Sequence, residues 1–451
     1  MKKAISLLLV VCLLGSCLVG CSNKPDYVIS ETPITPIVSE TPTDIPRQDV
    51  VEVVEVVDNV GFDDFESYLI NYINNSNFKE ENYTVSPFSL KMALALVAEG
   101  TSGESQSQIL EALGVTSVEE LRDLFEKLNV FSNEMSEEYE ALMAMYEKYP
   151  TAFTGEPAGS ILRVNNSVWK NINQPGVLLD SYKTKISNYY KGTSENIEAN
   201  LMKESINTWV NDNTHGMIPE IVDDTVKDSN IVLVNTLYLK DSWSDEFLES
   251  NTIEKDFTTI NGETVKKDFM CRQDDYYFYE NRNSKILIIE TQSDIYVAFV
   301  LGDNSDIIEK IKSVTYEDTI VELPKLEIES SFDNGFFIDY LKSMGVQNVF
   351  DYHTADFSNM VELKDGEPNV YVDDIIQKTK LVTDEDGIEG AAATSVMMMC
   401  GAAYKEPKKP KEFIANEPFS FYVFADTTDY SKDNVEIFND IDLLFYGQNM
   451  K

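Results

Sequence analysis

Asn82-Tyr83-Thr84-Val85-Ser86-Pro87-Phe88-Ser89-Leu90-Lys91-Met92-Ala93-Leu94-Ala95-Leu96 reads as a short strand running into a buried helix. Tyr83-Thr84-Val85 has the β-branched and aromatic character of a strand. Ser86 or Pro87 starts the helix, because proline is tolerated in the first turn. Leu90, Leu94 and Val97 then fall on one face at helical spacing. Gly100-Thr101-Ser102-Gly103-Glu104-Ser105 ends that helix and begins another, which closes near Leu113-Gly114. Taken alone, the stretch fits any buried helical hairpin.

The segments downstream narrow the choice. Ile206-Asn207-Thr208-Trp209-Val210 and Thr214-His215-Gly216-Met217-Ile218-Pro219 come next along the chain. Ile231-Val232-Leu233-Val234-Asn235-Thr236-Leu237-Tyr238-Leu239-Lys240 is apolar and β-branched, as a strand buried on both faces requires. It runs on through Asp241-Ser242-Trp243 to Phe247. Leu323-Pro324-Lys325-Leu326, Met344-Gly345-Val346, Ala355-Asp356-Phe357-Ser358, Glu417-Pro418-Phe419-Ser420-Phe421 and Leu444-Phe445-Tyr446-Gly447 follow in order. With Ser86-Pro87-Phe88-Ser89, this series resembles the serpins over residues 61 to 451. The resemblance implies an α+β serpin fold: three β-sheets with a large central sheet A, eight to nine helices, and an exposed reactive-centre loop. It also implies a protease inhibitor and not an enzyme. Two segments depart from the family pattern. Residues 131 to 160 look like an acidic, partly helical insertion, and residues 427 to 442 lengthen the final hairpin.

The loop lies in Lys380-Leu381-Val382-Thr383-Asp384-Glu385-Asp386-Gly387-Ile388-Glu389-Gly390-Ala391-Ala392-Ala393-Thr394-Ser395. Flexible linkers lean on Ser and Gly, whereas this run leads through three alanines into Val396-Met397-Met398-Met399 and is too apolar for that role. It resembles the hinge of inhibitory serpins, assigned here to Glu385, Gly387, Ile388, Glu389, Gly390, Ala391, Ala392, Ala393 and Thr394. In that family the loop is cut, enters sheet A as a new strand and holds the protease as an acyl-enzyme. Small hinge side chains ease entry, and proline would block it; none occurs before Pro407. Ile388 is bulkier than the family's usual Thr or Ser, but apolar and β-branched. The alternative is a serpin-fold binding or structural protein that no longer inhibits.

Counting from Glu385 by the family's spacing places the cleaved bond between Gly401 and Ala402. The loop is longer than usual, so Met399, Cys400, Ala403 and Tyr404 are also candidates. These small or apolar residues suit elastase-like, subtilisin-like or papain-like proteases; Lys405 lies too late to suit a trypsin-like one. Trp243 matches the family's breach, where the loop enters the sheet. Ser86, Ser89 and Asn235 match the shutter beneath that sheet, where they hydrogen-bond to one another. Gln377 stands where the family's shutter has a histidine. Glutamine donates and accepts without titrating, so the shutter is expected to be insensitive to pH near neutrality.

The N-terminus carries Lys2 and Lys3, an apolar run from Ile5 to Leu14, and Leu18-Val19-Gly20-Cys21. This is built like a secretory signal, and Leu-Val-Gly-Cys resembles a bacterial lipobox. Residues 1–20 are therefore expected to be a signal peptide and Cys21 a lipidated residue. Lipid there would tether the chain to a membrane without spanning it, on the extracytoplasmic side. Residues 21–60, rich in Pro, Thr and Glu, form a linker, within which Val50 to Val57 could pair as an edge strand. Residues 61–451 form the serpin domain.

Composition sets the remaining bounds. At 43% hydrophobic residues, a large core is within reach. A formal charge of −42 argues against nucleic acid as a partner. With the signal and Cys21 set aside, only Cys271 and Cys400 remain, which is no disulfide framework. The two histidines, His215 and His353, lie in no nucleophile motif. Zinc-helix and phosphate-loop patterns are absent. Asp384-Glu385-Asp386-Gly387 lacks the later ligands of a calcium loop and reads as an acidic turn. No cofactor or metal is expected. The expected partner is a target protease, and the chain is expected to be a monomer.

Overall fold

The computed structural model describes residues 64–152, 159–332, 335–389, 409–428, 431 and 435–451, all within the unit Glu52–Lys451. Cys21, the linker and loop residues 390–408 lie outside them. So Gly390, Ala391 to Ala393, Thr394, the Gly401–Ala402 bond and its neighbours Met399, Cys400, Ala403 and Tyr404 receive no structural description.

Helix α1 (Asp64–Asn74) leads to β1 (Tyr83–Val85) and α2 (Pro87–Gly100). Helices α3 (Gly103–Ala112) and α4 (Val118–Lys148) precede β2 (Ile161–Asn171) and β3 (Val177–Leu178). Then come α5 (Asp180–Tyr190), β4 (Thr193–Ile197), α6 (Met202–Asn213) and β5 (Ile231–Ser242). Strands β6 (Ile253–Thr258), β7 (Thr264–Glu280), β8 (Ser284–Glu290) and β9 (Ile295–Gly302) follow. Helix α7 (Ile307–Lys312) precedes β10 (Thr315–Pro324) and β11 (Leu326–Phe332), and α8 (Phe336–Ser343) precedes β12 (Val361–Glu362). The last strands are β13 (Ile375–Thr383), β14 (Gly387–Ile388), β15 (Lys411–Ile414), β16 (Phe419–Asp426) and β17 (Ile441–Asn449).

Among the described residues these strands form three sheets, of nine, six and two strands. The nine-stranded sheet owes its size to β7. Its seventeen residues pair with β6, then β8, on one edge and with β10 on the other. The six-stranded sheet runs β11-β13-β14-β5-β2-β4, and Gly387 and Ile388, expected to belong to the hinge, lie within it as β14. Helix α2 lies in the main core, with every one of its residues buried. Apolar residues surround most of this helix, as a core position requires, and its buried charges are paired, Lys91 with Glu66 at 2.7 Å and Glu99 with Arg122 at 2.5 Å. Pro87 occupies its first turn, and the Ser86 hydroxyl accepts the Ser89 N–H at 3.1 Å.

Residues 131–148 are not an appendage. They continue α4 without a break and pack on the start of β2. Ser132 donates to the Leu162 carbonyl, and Ser136 accepts the Leu162 N–H at 3.1 Å. Tyr139 packs with Ile161 and Tyr238. The contacts recur at helical spacing, but two of the three side chains are serines, so hydrophobic patterning does not reveal this buried stripe.

Candidate functional site

The six-stranded sheet is incomplete in its middle. Strands β13 and β5 run parallel and pair directly only at Ile375–Leu233 and Ile376–Val234. At the other end β14 is wedged between them, antiparallel to both: Ile388 faces Thr383 on one side and Asp241 on the other. The Glu389 N–H extends this ladder to the Val382 carbonyl at 2.8 Å. Between these ends, 377–382 of β13 and 235–240 of β5 have no ladder to each other. Their outer edges are fully paired, with β11 and β2 respectively. The side-chain oxygens Asn235 Oδ1, Thr236 Oγ1 and Thr383 Oγ1, along the facing strands, are buried without hydrogen-bond partners.

Strand β14 is held where sequence and geometry meet. A Cβ on Gly387 would sit 2.1 Å from the Asp241 carbonyl oxygen, so a larger residue would push the strand away. Ile388 is 2% exposed. Glu389, with φ +63°, lies in the left-handed region that non-glycine residues avoid. Asp384 to Gly387 form the tight turn between β13 and β14. Asp384 Oδ1 accepts the Asp386 N–H at 3.0 Å, and the Asp384 N–H donates to the Gly387 carbonyl at 3.1 Å.

Trp243 is fully buried against this turn. Its indole N–H donates to the Asp384 carbonyl at 2.8 Å and its backbone N–H to the Asp386 carbonyl at 2.9 Å. The Phe247 N–H holds the Glu385 carbonyl at 2.9 Å. The Glu385 carboxylate pairs with Lys325 Nζ at 2.6 Å and accepts the Thr252 hydroxyl at 2.5 Å. Burial would push the Glu385 carboxyl up, but the Lys325 and Thr252 hydrogen bonds outweigh it and hold the carboxyl below its usual range.

Beneath the sheet, Gln377 clamps the start of α2. Its Oε1 accepts the Ser86 N–H at 3.1 Å and its Nε2 donates to the Ser86 carbonyl at 2.9 Å. Ser86, Ser89 and Gln377 are thus brought together. Asn235 instead donates to Asn166 Oδ1 across the β5–β2 pair at 2.5 Å. Sequence reasoning assigned no role to Asn166, Thr252, Lys325 or Asp241. Lys325 was visible inside Leu-Pro-Lys-Leu; nothing local marks the others.

Asp241 is the titratable group of this region. It is 1% exposed and sits opposite Ile388. Ser160 donates to Oδ1 and Thr291 to Oδ2, the latter at 2.5 Å. Thr291 Oγ1 also faces the Ile295 carbonyl at 2.8 Å, so its single proton serves two acceptors. A protonated Asp241 would donate to Thr291 and free that proton for Ile295. Burial is the main cause that pushes the Asp241 carboxyl up, to about 6, against these hydrogen bonds. A raised carboxyl contributes stability that is full below its unfolded value and lost as pH rises through the folded one. The displacement from 3.8 to about 6 corresponds to about 3 kcal/mol between the protonation states. Asp241→Asn, which mimics the protonated form, is therefore expected to be more stable than the parent at pH 7.5 by about 2 kcal/mol. That advantage should begin to fall as the pH drops through about 6 and be nearly gone at the unfolded value of 3.8. Thermal unfolding of both proteins across this range checks it; a constant difference between the two would refute the assignment.

The comparisons with known proteins agree with this geometry. The family described as Serpin (serine protease inhibitor) matches residues 61–431. Serpin-Z10 of Arabidopsis thaliana is 26% identical over 371 residues, covering 76% of this chain and 88% of the relative. A leukocyte elastase inhibitor of Sus scrofa is 26% identical over 383 residues, covering 79% and 92%. Among solved structures, the thermophilic serpin tengpin in its native state superposes with a TM-score of 0.66 at 24% identity, covering 85% of this chain and 92% of its own. Thyroxine-binding globulin with thyroxine gives 0.64 at 19%, covering 85% and 96%. With the family matched over most of its length and the sheet architecture in place, this chain belongs to the serpin family.

Proposed function

We propose that the chain inhibits proteases by trapping them. The loop is cleaved, enters the six-stranded sheet and holds the protease as a covalent acyl-enzyme. One observation carries this reading: the hinge strand β14 is already seated at the head of an unpaired gap between β5 and β13. Continuing its register brings Gly390, Ala391, Ala392 and Ala393 down the gap and Thr394 between Asn235 and Gln377. Thr394 would meet the unpartnered Asn235 oxygen, and Ala393 would lie beside Thr236. Each ladder bond gained contributes about 1 kcal/mol net. Glu389 leaves its left-handed conformation as the strand extends, which recovers about 1–2 kcal/mol.

The tip residues Met399 to Tyr404, with the bond expected at Gly401–Ala402, favour elastase-like, subtilisin-like or papain-like targets. The similarity to a leukocyte elastase inhibitor supports the first. The N-terminal pattern supports export and a lipid tether at Cys21, with the inhibitor domain acting as a monomer outside the cytoplasm. The test is incubation of the purified protein with elastase, subtilisin, papain and trypsin, followed by denaturing gels. A band at the summed mass is expected with elastase or subtilisin. Cleavage in the loop without such a band would instead establish a serpin-fold protein that does not inhibit.

A further inference from the structure

At the far end of the gap from the hinge, a cavity of about 390 Å³ lies between the six-stranded sheet and the connection from α6 to β5. Ile221, Val222 and Val226 of the connection form its roof; Val232 of β5 and Ile376 and Lys378 of β13 lie on the sheet side. It therefore straddles the seam where β5 and β13 pair directly, at Ile375–Leu233 and Ile376–Val234.

Two separate cores show which face of the sheet the cavity occupies. Leu233 and Ile375 belong to the main core with α2. Val232 and Val234 belong to a second core with α6, against which Ile376 and Ile221 are only partly buried. Successive residues of a strand point to opposite faces, so the cavity is on the α6 side.

The roof is fixed to α6. Asn207 Oδ1 accepts the Ile221 and Val222 N–H groups at 2.9 and 3.0 Å, and its Nδ2 donates to the Val222 carbonyl at 2.8 Å. From β13, Lys378 Nζ donates to the Glu220 carbonyl at 3.2 Å and pairs with Glu329 of β11 at 2.8 Å. A strand entering the gap displaces β13 by one strand spacing, about 4.8 Å, and breaks the Lys378 contact with Glu220. Val232 and the roof stay together, and the cavity widens along the seam.

The register identifies what would fill it. Ile388 stands opposite Asp241 on β5 and Thr383 on β13. Nine steps along an antiparallel strand carry Ile388 to Met397, Asp241 to Val232 and Thr383 to Asp374. Directly opposite residues share a face, so the Met397 side chain would enter the cavity with Val232. Val396 and Met398, one residue to either side, would point into the main core. Met397 lies outside the described residues, but no proline interrupts the run that leads to it. Methionine is unbranched and flexible and fills irregular apolar gaps.

We propose that this cavity is the seat of the Met397 side chain after the cleaved loop has inserted, and that Met397 locks the far end of the new strand beneath the α6–β5 connection. This seat rests on the insertion step of the inhibitory reading above.

Two measurements on the full protein test it. In the first, loop-cleaved protein, freed of protease and of complex, is compared with intact protein by thermal unfolding in moderate guanidinium chloride. Met397→Ala is expected to lower the midpoint of the cleaved form by about 5 °C and to leave the intact form unchanged. Ile221→Trp, which fills the cavity in advance, should also lower the cleaved midpoint, and the pair Ile221→Trp with Met397→Ala should recover most of the loss. Equal cleaved midpoints for the parent and Met397→Ala, or losses that simply add in the pair, overturn the seat.

In the second, with Cys400→Ser as background, Met397→Cys and Ile221→Cys are joined by a short bifunctional thiol reagent and located by mass spectrometry. The cross-link is expected in cleaved protein and not in intact protein, and Met398→Cys with Ile221→Cys should give none. Equal yields from the two pairs, or from cleaved and intact protein, overturn the seat. A cross-link joining two molecules would assign the cavity to the loop of a second copy and overturn it as well. If cleavage does not raise the parent's midpoint, insertion fails and the inhibitory reading with it. If cleavage raises the midpoint but Met397→Ala matches the parent, only the seat fails.

Discussion

Ile388→Glu is expected to leave the loop cleavable and to abolish covalent trapping. The residue is 2% exposed and pairs with Asp241 on one side and Thr383 on the other. Directly opposite partners in an antiparallel pair share a face, so the new carboxylate would be thrust beside the buried Asp241. That group already resists ionisation, and two carboxylates in one desolvated site cannot both stay charged. The hinge strand must then leave the sheet or carry a penalty of several kcal/mol.

In the trapping mechanism proposed above, insertion must outrun deacylation, so the rate of insertion decides the outcome. A penalty of about 3 kcal/mol slows insertion roughly a hundred-fold. The acyl-enzyme would be hydrolysed first, and the gel would show cleaved protein with no band at the summed mass. Ile388→Arg should be milder, because an arginine there can pair with Asp241; Ile388→Val should trap like the parent. Lowering the pH to 5 should restore part of the Ile388→Glu loss as the carboxyls protonate. A normal yield of complex from Ile388→Glu would show that β14 does not lead the insertion.

How much of this can be read without coordinates depends on what each feature rests on. The proposed hinge can be picked out because its residue types follow from backbone demands: glycine where β14 touches Asp241, small residues where an inserting strand would have to slide. Trp243 and the Ser86–Gln377 pair lie in motifs whose order along the chain carries the resemblance. Asn166 is a different case. It meets Asn235 only because the β2–β5 register sets them opposite, and register is a property of the assembled sheet. Asp241 looks like a loop acid at a strand end; only the convergence of Ser160, Thr291 and Ile388 buries it. The helical character of residues 131–148 is legible, but their packing on β2 is not, because two of the three side chains that make it are serines.

Glu385→Lys should have the largest effect on the native state itself. Glu385 is 4% exposed and ties three elements together at the head of the gap. Its carboxylate binds Lys325 and Thr252, and its carbonyl holds the Phe247 N–H. Lysine at this position removes both side-chain bonds and sets two ammonium groups against each other in a nearly closed site. Breaking one partner of a buried pair costs about 3–5 kcal/mol. The lower end applies here, because the Lys325 side chain is 40% exposed and partly screened. Loss of that much stability at the turn 384–387 loosens the Trp243 clamp, and β14 can withdraw. The unpaired edges of β5 and β13 would then be open to a strand from another molecule, since exposed edges template such pairing. The variant is therefore expected to give little monomer on size exclusion, with soluble polymers in its place and a lowered unfolding midpoint. The charge-swapped pair, Glu385→Lys with Lys325→Glu, restores the attraction but not the Thr252 bond, so it should recover most of the monomer and only part of the midpoint. A swap no better than the single variant would mean that steric fit, and not charge, closes the sheet at this end.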